Sequence, residues 1–532
     1  MEDTAELLKQ GKNKELWERC CGFIDLNIEQ FMTIQRQLLL EQIELLKRCE
    51  LGQRMMRGVQ PSSIEEFREQ VPVTTYYDYA PYLLQKREDV LPVKPMFWNW
   101  TSGRSGEYAH KWVPITKRMF DAGKDFIVAM VLFASCQDRG NVIIEEYDKF
   151  IYGVAPPPYV SGTLFRIIEE MGVFSILPSI DKAEKMSFEE RIEQGLKLGL
   201  SEGIDIITAL NSVLVTIGER LGQGGDFKKI LSVLNRPKVF ARLLKAVVKS
   251  KLSGRPLLPR DIWSVKAITA GGTDNIIYRE KIKHLWGRYP LDTYGGTESM
   301  LIAMQTWDYD TMTFIPYMNF LEFMPEKEWK KWQKDPSYQP DLLLLDEVQA
   351  GEIYVVVITN FLGGAFVRYS PGDAIMIKSL RNEKLNINTP QMLFDSRVDG
   401  IIDIAGFTRL TEKIVWQAIE NSSLSYQDWA MRKEAAGKPI LHLYIEPKQG
   451  YSISETEAAK LIHEELKRLD NDYASLETML GLNPLKVSVL SNGAFQAYIS
   501  KQQAAGVDLA HLKPPHINPS EAVIDRLLTP VA

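Results

Sequence analysis

The sequence predicts an α/β protein with two domains, a large N-terminal one built from several sheets and a small α+β one at the C-terminus, joined by a hinge. Three observations predict it. Helical-period stretches alternate with strand-like runs through most of the chain, the pattern of sheets covered by helices. Past about Arg397 the alternation tightens into short helices and strands at close spacing. Between the two regimes stands Asp399-Gly400, where a glycine can absorb a large backbone rotation.

Bulk properties support a folded enzyme-sized chain. Its 532 residues are 45% apolar and 25% charged, enough to bury a sizeable core. The net charge is −6, from 63 basic and 69 acidic side chains spread along the chain, so no basic face offers itself to nucleic acid. The longest apolar run, Phe126 to Cys136, falls short of the roughly 20 residues a membrane span needs, and no membrane span is expected. The acidic opening Met1-Glu2-Asp3-Thr4 is unlike a signal peptide. Cys20, Cys21, Cys49 and Cys136 form neither a CxxC pair nor a disulfide framework and read as reduced thiols of a cytoplasmic protein.

The elements follow in order. Thr4 to about Met56 is rich in helix formers, with Leu39, Ile43, Leu46 and Cys49 at helical spacing. Pro61-Ser62-Ser63 signals a helix over Ile64 to Glu69, followed by an extended stretch through Pro72, Tyr76 and Pro81 into Pro95. Residues 160–260 read as core-forming helices separated by turns, for example Ile206 to Leu221. Strands are expected at Val265 to Thr269, Gly351 to Phe361 and Phe366 to Ile377, the last two joined by Leu362-Gly363-Gly364-Ala365 as a hairpin. The C-terminal region predicts a helix over Glu412 to Asn421, a strand at Leu441 to Ile445 and a helix from Ser454, its N-cap, to Leu469. A strand at Leu485 to Leu490 and a helix near Phe495 follow.

Chemistry concentrates in a few loops. Thr101-Ser102-Gly103-Arg104-Ser105-Gly106, followed by Lys111, combines small residues, hydroxyls and positive charge, which is what a phosphate-holding loop requires. A Ser/Gly-rich surface turn has the same composition. In Tyr294-Gly295-Gly296-Thr297-Glu298-Ser299 an aromatic can flank a purine, the glycines admit close backbone contact, Thr297 can donate to a phosphate oxygen and Glu298 can hold Mg2+. A tight turn with an exposed acid is the alternative. Val367-Arg368-Tyr369-Ser370-Pro371-Gly372-Asp373, at the end of a strand, places a carboxylate after a Pro-Gly turn, where it can accept from both ribose hydroxyls or stand solvated. Arg397 and Asp399 mark the domain boundary, and Lys513 sits in the loop His511-Leu512-Lys513-Pro514-Pro515. None of the six histidines forms an HExxH motif, and His284, His442 and His463 read as core or surface residues.

The order TSGRSG…K, YGGTES, RYSPGD and SRVDGIIDIAG resembles the adenylate-forming superfamily of acyl, aryl and luciferase-type ligases. Within it, the chain is similar to the acyl-acid amido synthetases that conjugate auxin- or jasmonate-like acids to amino acids. Phe67-Arg68-Glu69-Gln70-Val71-Pro72-Val73, the Ala270-Gly271-Gly272 turn and the ending from Gly493 through Pro515 carry that narrower likeness. The resemblance implies an adenylation domain over 1–396 with a helical opening at 1–70, a hinge at 397–400 and a mobile domain over 401–532. It implies binding of ATP by Thr101, Ser102, Gly103, Arg104 and Ser105, by Gly271 and Gly272, by Tyr294, Gly295, Gly296 and Thr297, and by Asp373 and Arg397. Glu298 would serve Mg2+, and Lys513, Thr297 and Glu298 would be catalytic. The family's first loop commonly carries a threonine where Arg104 stands. The implied reaction turns a carboxylic acid and ATP into an acyl-adenylate and pyrophosphate, then passes the acyl group to an amine, an amino acid above all. An acyl-CoA ligase, with CoA as acceptor, is the alternative of the same class, and a non-catalytic binder of an acyl-adenylate is the alternative of another.

Overall fold

In a computed structural model, the chain is described over residues 2–101, 111–222, 237–271, 275–335, 337–398, 400–404, 408–435, 439–480, 483–504, 514 and 516–529. It divides into two compact units, the main run of the first ending at Val398 and that of the second beginning at Asp399.

In the large unit the opening is helical, as its composition predicts, but broken into Thr4–Lys9, Asn13–Cys21, Ile28–Lys47 and Glu50–Met55. The 20-residue helix Ile28–Lys47 starts at Asn27, whose side chain accepts from the Gln30 backbone while Gln30 reaches back. Its inner face carries Phe31, Leu39, Ile43 and Leu46, and with them two buried glutamines. Gln35 donates to the carbonyls of Pro316 and Asn319 and accepts from Leu321 N–H; Gln42 bridges Gly363 and Gly364 in the same way. Buried amides must find such partners, so this helix grips two distant turns.

Thirteen strands follow in this unit among the described residues. β1 (Phe97–Trp100) and β2 (Trp112–Ile115) form a separate antiparallel pair, with Trp100 opposite Trp112. The rest are β3 (Lys149–Gly153), β4 (Ser175–Leu177), β5 (Ile206–Leu210), β6 (Ala267–Gly271), β7 (Leu291–Tyr294), β8 (Ala303–Gln305), β9 (Met312–Phe314), β10 (Asn319–Pro325), β11 (Ile353–Asn360), β12 (Asp373–Ser379) and β13 (Gln391–Arg397). They build one sheet in the order β10-β11-β12-β13-β9-β8-β7-β6-β5-β3-β4. From β4 to β7 the neighbours are parallel with helices in the connections; from β7 onward they are antiparallel. The α/β class is thus as predicted.

Three local expectations are corrected. Ile206 to Leu221 is not one helix: Ile206–Leu210 is β5, between β3 and β6, and the helix starts at Asn211. A central parallel strand is apolar on both faces, so its periodicity hides. The stretch expected to be extended around Tyr76 and Pro81 contains the helix Tyr76–Leu83, begun where the Asp78 carboxylate accepts the Thr75 N–H at 2.8 Å. The Phe366 to Ile377 strand begins only at Asp373, so Asp373 opens a strand rather than ending one. The chain does reverse after Asn360, and Ile358 and Tyr369 bridge. The ladder then stops because Arg368 adopts φ +42° and its neighbours turn to Thr74, whose N–H donates to Arg368 O and whose carbonyl accepts from Ser370 N–H.

The small unit holds β14 (Ile401–Ile404) paired with β15 (Thr408–Thr411), and a sheet of β16 (Tyr426–Ala435), β17 (Pro439–Pro447) and β18 (Leu485–Val489). β17 and β18 are parallel and connected through helix Glu455–Leu469, whose Ser454 cap accepts from the Glu457 N–H. Ala430, Tyr444, Phe495 and Leu527 pack its core. No described helix is long and apolar enough to cross a membrane.

Candidate active site

The end of β7, the turn after it, the start of β12 and the end of β13 meet in the large unit. Asp373 and Arg397 are register partners, and Arg397 Nη1 donates to Asp373 Oδ1 at 2.8 Å while Nη2 donates to the Pro371 carbonyl at 3.0 Å. The Tyr294 hydroxyl donates to the other carboxylate oxygen, Asp373 Oδ2, at 3.2 Å. Burial and the Asp373 carboxylate hold the Tyr294 hydroxyl well above its usual pKa, so it stays a donor. The Tyr369 hydroxyl, raised by burial and by Glu298, donates to Glu298 Oε1 at 3.2 Å. Thr297 Oγ1 makes a long contact to the Trp100 carbonyl, 3.4 Å, which brings the Gly295-Gly296-Thr297 turn to the end of β1. Next to it, Thr101 N–H donates to the Lys111 carbonyl. Tyr294, Thr297, Glu298, Asp373, Arg397 and Thr101 are therefore neighbours, while Gly271 closes β6 opposite Leu210 of β5. Ser102, Gly103, Arg104, Ser105, Gly272 and Lys513 lie outside the described residues.

The turn is held from below by residues that sequence patterns do not single out as functional. Asn360 donates to the Glu298 carbonyl at 3.0 Å and to Asn319 Oδ1, and Asn319 donates to the Ser299 carbonyl at 2.8 Å. Both asparagines are almost fully buried, at the start of β10 and the end of β11. A polar residue at the edge of an otherwise apolar strand was the available signal, since a buried amide needs a built partner. Arg368 is locked by Glu322, which accepts from Nε and Nη2 at 2.9 Å each, both side chains fully buried.

Gly295 meets a steric demand: a Cβ there would stand 2.2 Å from the Met300 carbonyl oxygen. At Gly296 the nearest atoms to such a Cβ are side-chain oxygens at 3.6 and 3.8 Å, ordinary contact. Gly295→Ala is expected to cost about 1–3 kcal/mol in urea denaturation and to disturb the turn, whereas Gly296→Ala should leave the fold intact. Equal stability of the two variants would contradict this geometry.

Asp292 lies two residues before Tyr294 on β7, on the same side of the strand by its two-residue period. Its Oδ1 is enclosed without a hydrogen-bond partner among the described residues, and its N–H donates to Gln305. Burial raises its carboxyl to about 7, with Arg279 only partly opposing. A carboxyl raised on folding binds more protons folded than unfolded, so stability is full below the unfolded pKa and falls as pH rises toward about 7. Wild type should therefore lose stability between about pH 4 and 7, and Asp292→Asn should flatten that slope in denaturation curves taken across the range.

Residues 21–141 match the GH3 family N-terminal domain and residues 312–397 the GH3 family central domain. The second stretch spans β9 to β13 and includes Asp373 and Arg397. The chain is 26% identical over 271 residues to jasmonoyl–L-amino acid synthetase GH3.5 of Oryza sativa subsp. japonica, over 47% of this chain and 45% of that protein. It is 27% identical over 221 residues to the 4-substituted benzoates-glutamate ligase GH3.12 of Arabidopsis thaliana, over 38% of this chain and 36% of that one. These matches span less than half the length of each relative. Among solved structures, the acyl acid amido synthetase GH3.15 in complex with 2,4-DB shares the fold at a TM-score of 0.51 and 17% identity, covering 96% of this chain and 95% of that chain. A 2-hydroxyisobutyryl-CoA ligase with 2-HIB-AMP and CoA bound gives a TM-score of 0.51 at 15% identity, over 87% and 86%. At such identities the likeness is one of fold.

Proposed function

We propose, from the two GH3 family domains this chain carries and from the site they frame, that it is an ATP-dependent ligase joining a carboxylic acid to an amine, with an acyl-adenylate as intermediate. The observation that supports it most is Asp373, a carboxylate oriented from both sides by Tyr294 and Arg397 beside the Thr297-Glu298 turn. In the first half-reaction an oxygen of the acid attacks the α-phosphorus of ATP and pyrophosphate leaves with the bond electrons. In the second, the amine attacks the acyl carbon, the acyl–phosphate bond breaks, AMP departs and the nitrogen gives up its proton. No protein nucleophile is needed, so catalysis is positioning and charge stabilisation.

Asp373 accepts the ribose hydroxyls, with Arg397 beside it. Thr297 and the glycine N–H groups donate to the α-phosphate, and Thr101 to Ser105 with Gly271 and Gly272 complete the nucleotide contacts. Mg2+, when bound, neutralises charge on the phosphates. Glu298 suits it, since one half-buried carboxylate at a turn, together with phosphate and water oxygens, is a common magnesium site. Lys513 stabilises charge in adenylation, and 397–400 acts as the hinge between domains 1–396 and 401–532.

The curated relatives are named for joining acids to amino acids, which makes an amino acid the acceptor of choice. The fold shared with a CoA ligase keeps CoA as the second reading. Exchange of labelled pyrophosphate into ATP across aliphatic, aryl and amino acids, then product mass with CoA or amino acids present, tests both steps. An amide is the expected product, a thioester would assign the second reading, and background exchange with every acid would leave only a non-catalytic binder.

A further inference from the structure

Helix Pro237–Leu252 of the large unit faces inward through Val239, Leu243, Ala246 and Ser250. Arg242 anchors it by donating to the carbonyls of Gly199 and Leu200 at the end of helix Phe188–Glu202. An outer face of such a helix is ordinarily polar. Here it carries an apolar stripe: Phe240, Leu244, Val248 and Leu252 recur every fourth residue and are 53%, 54%, 49% and 85% exposed. Contiguous exposed apolar side chains of this size mark an interaction surface.

Charge points to what covers it. The helix carries Lys238, Arg242, Lys245, Lys249 and Lys251 and no acidic residue, in a chain whose net charge is −6. At 100° per residue, Lys238, Lys245 and Lys249 fall together along one border of the stripe, and Lys251 falls within it near the helix end, between the directions of Phe240 and Leu244. A second copy of the chain packed antiparallel on this face would set these lysines against their own counterparts, a repulsive arrangement. An apolar stripe bordered by lysines suits a helix lying in the headgroup layer of an anionic bilayer, its apolar side chains entering the acyl boundary.

We infer that helix Pro237–Leu252 docks the protein peripherally on anionic lipid. The inference is independent of the proposed catalytic function. The test is sedimentation of the full chain with phosphatidylcholine vesicles with and without phosphatidylglycerol. Wild type should bind the anionic vesicles, weakly at high salt, and neutral ones poorly. A Phe240→Glu/Leu244→Glu variant should lose at least about 10-fold in vesicle partitioning, with its melting temperature and lipid-free pyrophosphate exchange unchanged because both positions are exposed. Absence of binding to anionic vesicles, or equal binding by the variant, overturns the inference. So does a lipid-free dimer that the same substitutions dissociate, which would give the face to a second copy.

Discussion

Asp373→Ala should reduce ATP–pyrophosphate exchange by about 100-fold or more. A charged acceptor is worth about 1.5–3 kcal/mol per hydrogen bond, and two ribose hydroxyls make that a loss of two or more factors of ten. The variant also removes the acceptor of the Tyr294 hydroxyl and of Arg397 Nη1. The loss should appear in KM for ATP as well as in kcat, because the nucleotide is both weakly held and misaligned. Arg397→Lys, which keeps the charge but loses the fork that spans Asp373 and the Pro371 carbonyl, should fall between wild type and Asp373→Ala. Full exchange by a folded Asp373→Ala variant would remove the ribose assignment and with it the main support for the proposed reaction.

The second large effect is on stability. Arg368→Met leaves Glu322 buried without its bidentate partner, and should cost about 3–5 kcal/mol in urea denaturation. Glu322→Leu should be comparably harmful, since Arg368 then keeps only backbone acceptors at Arg68 and Val71 and Arg68 loses its own contact to the same carboxylate. The double variant should be more stable than either single one, because two apolar side chains can replace a buried ion pair where one orphaned charge cannot. Additive losses would show that the pair is not coupled. Activity should fall along with stability in the single variants, as Arg368 sets the backbone turn that leads into Tyr369 and Asp373.

Much of this protein is legible in one dimension. Amphipathic spacing places the opening helices, Glu412–Asn421 and Glu455–Leu469, because helix faces repeat within a few residues. β5 is missed for the opposite reason: a strand buried on both sides has no polar phase. The helix Tyr76–Leu83 is missed because Pro72 ahead of it, Pro81 inside it and its tyrosines look extended, and only the Thr75–Asp78 start favours it.

The same division runs through the site. Tyr294, Thr297, Glu298, Asp373 and Arg397 stand out in the sequence because their chemistry sits in short glycine- and proline-marked turns. Asn319, Asn360, Glu322, Gln35 and Asp292 do not, since an amide or carboxyl among apolar residues reveals its role only when its partner is known. Those partners lie up to hundreds of positions away: Gln35 on Asn319, Glu322 on Arg368, Asn360 on Glu298. Local composition picked out the short turns, and the resemblance they carry supplied the roles proposed for them. The tertiary structure decided how they are aimed, because buried polar groups must be paired and pairing across distant segments has no imprint on sequence periodicity.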